Sequence, residues 1–485
     1  MSTQRIEPGA VIDGYTLEER IHQGSMATLW RVSAPGQPPL VMKMPLLREG
    51  DDPTAMVGFE VEQMIMPTLQ GPHVPLFIGS GDFSAHPYIV MELIRGNSLR
   101  ARLERTPLDT DEVARIGGQI ATALHSLHRQ HVIHLDLKPS NVMFRDTGEA
   151  VLIDFGFSRH DRLPDLLAEQ FRLPMGTAPY ISPEQVLRIR NDPRSDIFAL
   201  GAVLYHLVTG ERAFGFPTSI TGLRKRLYRD PVPPRARNPS CPAWLQEIIL
   251  RCLEPDPRAR YQSAAQVLLA LRNPGQVPLT ERAKKLRQDG AVTVTRRWMR
   301  TLGAQGEAWQ STAVQIARSP VVVVALDLLA GSEALLTSIR TTSERVLSMH
   351  PGARLACVSV LKTSRLALDV TVDEKGRNLR VMRLLELKDW ARPLGLAEGR
   401  LTYHVLEGPD PSSVLVDFVR ENRVDHVVIG ARGASPLRRY LGSVSAHVVA
   451  ESPCTVTVVK VPQAEDEEEE EAAAPSRLPP GTDLR

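Results

Sequence analysis

The chain has 485 residues, with 58 Lys+Arg against 56 Asp+Glu and a formal net charge of +2, so it is too long for one hydrophobic core and two or three domains are expected. Balanced charge gives no global attraction to nucleic acid or to an anionic membrane, and neither is expected as a partner. Cys241, Cys252, Cys357 and Cys454 form no C-x-x-C pair and have no histidine at metal-ligand spacing, which argues against structural zinc and a disulfide framework. After an N-terminal arm, residues 1–13, alternating patterns predict strands at 15–21, 28–32 and 40–44, then a helix near 56–69. From 99 to 271 helical periodicity dominates, as at 111–128, with strand patterns only at 142–144 and 151–153. Residues 14–272 thus read as a small β-rich lobe followed by a large α-rich one. Residues 273–318 open with Pro274, Gly275 and Pro278 and continue through Arg282, Lys284, Lys285, Arg287, Arg296, Arg297 and Arg300, the composition of a basic linker with helical pieces.

From Pro320 the pattern changes again. Strands VVVVALD, RLACVSVL, LTYHVLEG, HVVIGA and CTVTVVKV alternate with helical stretches at 332–349, 383–394 and 412–423. Such alternation predicts a parallel sheet with helices on both faces, over 319–461. Residues 462–485 hold the acidic run Glu465 to Glu471, a like-charge block expected to be a disordered, solubilising tail. The start, MSTQRIEPGA, lacks the charged-then-apolar pattern of a signal peptide, and the run from Val321 to Leu326 is far shorter than the roughly 20 residues of a membrane helix. A cytoplasmic location is therefore expected.

Three strings lie in order in the large lobe: H-L-D-L-K-P-S-N at 134–141, D-F-G at 154–156 and S-P-E at 182–184. Together they resemble the motif set of eukaryotic-type serine/threonine protein kinases. Phosphoryl transfer asks a catalyst to position a hydroxyl, align phosphates and spread developing charge over cations. The resemblance implies the two-lobed kinase fold, with ATP and Mg2+ as cofactors and protein substrates. It implies that Asp136 accepts the substrate proton, Lys138 steadies the transferred group, and Asn141 with Asp154 holds the metal ions. Lysine in D-L-K is the serine/threonine version. In L-V-M-K, Lys43 would pair the α and β phosphates, held by Glu62 of F-E-V-E-Q. Glu60 competes, and Phe59 in the family's apolar position three residues earlier favours Glu62. In YIVMEL, Met91 takes the gatekeeper place and the backbone of Glu92 and Ile94 reaches adenine. Leu29, Val41 and Met143 sandwich the ring, or serve as plain core if the cleft is closed. Ile21, Gly24 and Ser25 belong to the loop over the phosphates. Asp196 in S-D-I-F-A-L-G resembles the residue that bonds the catalytic-loop backbone, and Glu184 with Arg260 resembles the buried ion pair of the large lobe. Thr177 in G-T-A-P-Y sits where the family positions a serine or threonine acceptor.

The chain departs from this pattern in three places. I-H-Q-G-S-M-A-T-L keeps Gly24 but has His22 and Ala27 where G-x-G-x-x-G expects glycine, and a β-carbon at the loop tip is expected to slow or weaken ATP use. Val41 replaces the usual alanine above adenine and tightens that slot. Leu135 stands where many regulated kinases carry arginine, so no charge-assisted bond to a phosphorylated activation loop can form there.

Residues 319–461 resemble a universal stress protein domain, a flavodoxin-like nucleotide-binding fold. In ATP-binding members G-x-x-G-x9-G-[ST] wraps phosphates with backbone N–H groups at a helix start. Gly430, Gly433, Gly442 and Ser443 follow it with eight residues, 434–441, between the second and third glycine. Asp327 matches a nucleotide-contacting position, or caps a turn. Nucleotide binding and a role in homodimerisation or partner docking both remain open, because fold alone does not settle function. The leading reading is a kinase steered by a stress-responsive module, with autophosphorylation available at Ser311, Thr312 and Ser319. Its rival is a pseudokinase scaffold that senses nucleotide without catalysis. On the leading reading, phosphatase treatment of the purified chain leaves transfer activity largely intact; a large loss would show that Ser158 or Thr177 must be phosphorylated.

Overall fold

The computed structural model describes residues 6–24, 26–46, 53–81, 86–303, 320–328, 331–350, 352–363, 378–396, 400–431 and 442–461. The chain divides into two compact units, residues 1–318 and 319–485.

The first unit opens with an antiparallel sheet of order β1-β2-β3-β4-β6-β5, built from β1 (Val11–Ile12), β2 (Tyr15–Gln23), β3 (Ala27–Ser33), β4 (Leu40–Pro45), β5 (Phe77–Gly81) and β6 (Tyr88–Glu92). Successive side chains of a strand point to opposite faces. Trp30, Val32, Leu40, Met42, Met44 and Val90 therefore fill a core with Leu17 on one face. The cross-strand partners Leu29↔Lys43 and Val41↔Met91 put the candidate nucleotide residues together on the other. Helix α1 (Pro53–Ile65) buries Phe59, Val61, Glu62 and Ile65. At Gly58 a β-carbon would lie 3.1 Å from the Gly156 carbonyl oxygen, so the absence of a side chain lets α1 approach the D-F-G backbone.

The large lobe starts with α2 (Thr110–Arg129), which is N-capped by Asp109 and buries Val113, Ile116, Ile120, Leu124 and Leu127 at helical spacing. Two short ribbons follow, β7 (Val132–Ile133) with β10 (Arg159–His160) and β8 (Val142–Phe144) with β9 (Ala150–Leu152). Helices α3 (Leu166–Gln170) and α4 (Pro183–Val186) flank the segment after D-F-G. Helix α5 (Arg194–Thr209) is apolar almost all round and buried, and ends at Gly210 with φ 76°, a left-handed cap that suits glycine. Helices α6 (Ile220–Arg224), α7 (Pro234–Arg237), α8 (Ala243–Cys252) and α9 (Ala264–Arg272) follow, and α5 packs against α7, α8 and α9.

The segment read as a basic linker does contain helical pieces, α10 (Glu281–Lys284) and α11 (Ala291–Gly303). Through them it folds onto the large lobe. Glu247 of α8 is buried and accepts from the Thr280 N–H (3.0 Å), the Thr280 hydroxyl (2.9 Å) and the Ala283 N–H (3.1 Å), and pairs with Arg282. The Gln246 amide donates to the carbonyls of Arg282, Ala283 and Lys285. Lys285 and Arg297 converge on Asp230 and Asp289. The positive charges that suggested a basic linker are, in part, paired with large-lobe carboxylates.

The second unit is a five-stranded sheet, all parallel, of order β13-β12-β11-β14-β15: β11 (Val321–Ala325), β12 (Arg354–Lys362), β13 (Leu401–Gly408), β14 (His426–Gly430) and β15 (Thr455–Val459). Helices α12 (Glu333–Met349), α13 (Leu379–Ala391) and α14 (Pro411–Glu421) alternate with the strands, and α15 (Ser443–Glu451) precedes the last. Val321 and Val323 pack with Leu415, Phe418 and Val448, while Val322 and Val324 are buried on the opposite face. Burial on both faces explains the unbroken valine run. No helix among the described residues is long and apolar enough to cross a membrane. Glu247→Ala should lower the stability of the first unit by about 1–3 kcal/mol by stranding buried donors of the 280–283 turn; denaturant unfolding of the full chain measures it.

Candidate active site

Lys43, near the end of β4, points from the face away from the small-lobe core. Its Nζ lies 2.6 Å from Glu62 of α1 and 2.8 Å from Asp154. Burial works to lower the Lys43 pKa, but the charges of Asp154 and Glu62 overcome it, and the ammonium is held above its ordinary value. Burial raises the carboxyl of Glu62, against the pull of Lys43. At Asp154 burial also acts to raise the pKa, but Lys43 prevails and lowers it to about 2. Glu62, 1% exposed, is thus the partner of Lys43, while Glu60 is only partly buried.

The loop after β7 carries Asp136, buried, with a carboxylate that accepts four hydrogen bonds. Its Oδ1 accepts from the Thr177 N–H (2.9 Å) and the Thr177 hydroxyl (2.7 Å). Its Oδ2 accepts from Lys138 (2.7 Å) and the Asn141 amide (3.2 Å), and Asn141 also reaches the Asp136 carbonyl at 3.1 Å. Lys138 lies 3.2 Å from the Thr177 hydroxyl. Beneath them Asp196, fully buried, accepts from the N–H groups of His134 (2.9 Å) and Leu135 (2.8 Å) and from His128. Burial opposes its charge, yet the bonds from His128 and His134 keep its pKa lowered. Leu135 (φ 60°) and Asp154 (φ 68°) occupy left-handed backbone conformations that non-glycine residues adopt only when their surroundings hold them. The Leu135 carbonyl accepts from Gln185 at 2.6 Å, and the His134 ring sits 5.4 Å from Phe155.

Around the remaining cleft, Val41, Met91 and Ile94 are buried, Leu29 and Met143 are half-buried, and Ile21 is 46% exposed. The Glu92 N–H donates to the Leu76 carbonyl, and its carboxylate pairs with both terminal nitrogens of Arg145, whose bonds lower the Glu92 pKa. Gly24 donates to the Ala27 carbonyl at 2.9 Å. His22 and Ala27 lie in paired strands β2 and β3, a backbone open to any residue, so glycine is not required for the turn to form. Ser25 lies outside the described residues.

Glu184 and Arg260 meet at 2.8 Å, both buried, and Arg260 also donates to the carbonyls of Glu254, Pro255 and Arg194. Two contributors had no motif to mark them. Gln185 ties the Leu135 and Met175 carbonyls, its only local signal being the S-P-E-Q capping box with Ser182. Arg226, 1% exposed, donates to the carbonyls of Ala178 and Ile181, and burial alone lowers its pKa to about 10.

In the second unit, Asp327 follows β11 and its carbonyl accepts from Gly331. Gly430 ends β14, Gly442 is the N-cap of α15 and Ser443 its first residue. A β-carbon at Gly430 would lie 3.0 Å from Ile339 and 3.2 Å from Leu335, so close packing of α12 itself asks for glycine there. Gly433 lies outside the described residues.

The protein kinase domain family model matches residues 15–270, and the universal stress protein family model matches 320–460. Serine/threonine-protein kinase PknB of Mycobacterium tuberculosis is 32% identical over 221 residues, 44% of this chain and 35% of that protein. Serine/threonine-protein kinase PknL of Mycobacterium bovis is 30% identical over 258 residues, 53% of this chain and 64% of that protein. A crystal structure of a mutant PknI kinase domain of Mycobacterium tuberculosis aligns with 23% identity and a TM-score of 0.43, over 56% of this chain and 99% of the other. The alignments thus span about a third of PknB and under two thirds of PknL. Arg260→Leu should destabilise the first unit by roughly 3–5 kcal/mol, because Glu184 would be left buried and unpaired; its denaturation midpoint is the check.

Proposed function

The chain belongs to the protein kinase family and carries a universal stress protein domain; from that premise we propose that it transfers the γ-phosphoryl group of ATP to serine and threonine hydroxyls of proteins, itself included. The observation that carries this reading is the convergence of Lys138, Asn141 and Thr177 on the one buried carboxylate of Asp136, with Lys43 joined to both Glu62 and Asp154.

The residues fit a magnesium nucleotide. Among the described residues no group of three or more acids, histidines or cysteines could hold a metal by themselves. Asn141 and Asp154 supply two ligands, which suits magnesium, an ion that completes its shell with phosphate oxygens and water. When bound, the metal neutralises charge on the phosphates. The protein does the positioning. Leu29, Val41 and Met143 hold the adenine, and Lys43, kept charged by its two carboxylates, draws the phosphates toward Asp154. A substrate hydroxyl replaces the Thr177 hydroxyl as donor to Asp136 Oδ1. Asp136 accepts the proton as the hydroxyl oxygen bonds to the γ-phosphorus, and the bond from that phosphorus to the bridging oxygen breaks to release ADP. Lys138, within reach of both Asp136 and the acceptor position, stabilises the charge on the group in flight. The universal stress protein domain is the regulatory module in this reading.

Full-length protein incubated with magnesium and γ-labelled ATP should label on serine or threonine. Asp154→Ala should abolish the label, and Lys43→Met should lower the rate by at least about 100-fold. A changed level in Gly430→Ala would tie the second unit to the first. An unlabelled wild type, on itself and on generic acceptor proteins, would refute the proposal.

A further inference from the structure

With leucine at 135, the catalytic loop lacks the cation that would grip a phosphorylated activation segment, yet the segment after D-F-G is held in a defined path. At its start one holding group is Arg190, in the connection between α4 and α5 and 7% exposed. Its Nε lies 3.1 and 3.0 Å from the two carboxylate oxygens of Asp165. Its Nη2 donates to the Phe157 carbonyl at 2.9 Å and lies 3.4 Å from that of Ser158. Arg159 adds a second cation, with Nε 3.6 Å from Asp165. One carboxylate thus faces two guanidinium groups, from the start of the segment and from the large lobe.

The clasp connects in two directions. Asp165 is also the N-cap of α3, accepting from the Ala168 N–H. Helix α3 buries Leu166 and Leu167 and packs against α1, which carries Glu62. In the other direction, Phe157 and Ser158 directly follow D-F-G, and the buried Ser158 hydroxyl donates to the His134 carbonyl at 3.0 Å. That bond seals Ser158 away from a modifying enzyme. Restraint by Arg190 therefore reaches both partners of Lys43, Glu62 through α3 and α1, and Asp154 through 155–158.

We propose that Arg190 is a positioning residue for the transfer reaction, clasping Asp165 so that a carboxylate encoded in the chain holds the activation segment in place of an added phosphate. The positioning role rests on the kinase reading; the restraint on the segment does not. Asp165→Asn removes the charge while asparagine still caps α3, and Arg190→Lys keeps a cation but not the planar fork that spans carboxylate and carbonyl. In the full-length chain, backbone hydrogen exchange over 157–171 should quicken about tenfold in Asp165→Asn, with phosphatase-treated wild type unchanged. On a generic acceptor protein, kcat should fall about tenfold while the KM for ATP moves less than about threefold. Arg190→Lys should fall between wild type and Asp165→Asn in both readouts. Unchanged exchange in Asp165→Asn would overturn the clasp whatever the activity, and so would loosening of the wild-type segment by phosphatase. Loosened exchange with undiminished kcat would overturn the positioning role. A wild type that transfers no phosphate, yet shows the exchange difference, would refute the kinase reading and the positioning role while supporting the restraint.

Discussion

The ammonium of Lys43 is shared between Glu62 and Asp154, and that sharing joins three pieces of chain that meet nowhere else in sequence: β4, α1 and the D-F-G turn. Lys43 and Glu62 are largely buried and costly to leave unpaired, while Asp154 is partly exposed and adds a second anion to the ammonium. The set closes only if α1 sits close against the D-F-G backbone, an approach that the absence of side chains at Gly58 and Gly156 permits. The position of α1, the path of D-F-G and the charge presented to a nucleotide are therefore one conformational variable.

Asp196 fixes the other half of the centre. Its carboxylate takes the N–H groups of His134 and Leu135, which sets the backbone of the catalytic loop from below. With Gln185 holding the Leu135 carbonyl, both sides of the left-handed Leu135 residue are tied. A conformation of this kind costs on the order of 1–3 kcal/mol and persists only where neighbours over-determine it. Here the strain lies immediately before Asp136.

What was legible in the sequence was legible for a physical reason. Lys138, Asn141 and Asp136 lie within six residues, so a short string records their geometry; so do D-F-G and the valine run of β11. The preference for Glu62 over Glu60 rested on the resemblance, which puts Phe59 in the family's apolar position three residues earlier, and Glu62 lies 2.6 Å from Lys43. Arg190, Arg226 and Arg145 were not legible, because each acts on groups 25 to 53 residues away and an isolated arginine reads as surface. The docking of 280–297 was hidden similarly: its basic residues gave the composition of a linker, and their partners Glu247 and Asp230 lie far outside that stretch. Helix α15 was overlooked because it is only nine residues long, too short for its periodicity to stand out from the glycine-rich string before it.

The use of a carboxylate rather than a phosphate to hold the activation segment has a consequence for control. A phosphate can be added and removed, so a cation that grips it reports the balance of modifying enzymes. Asp165 is present in every copy of the chain, and Ser158, whose carbonyl lies 3.4 Å from Arg190, has its hydroxyl buried and engaged with the catalytic loop. A segment held in this way is set when the chain folds. Two other features remain open to control: the Thr177 hydroxyl that fills the acceptor position on Asp136, and access to Lys43. Neither requires a covalent change at Asp136 or Asp165 themselves.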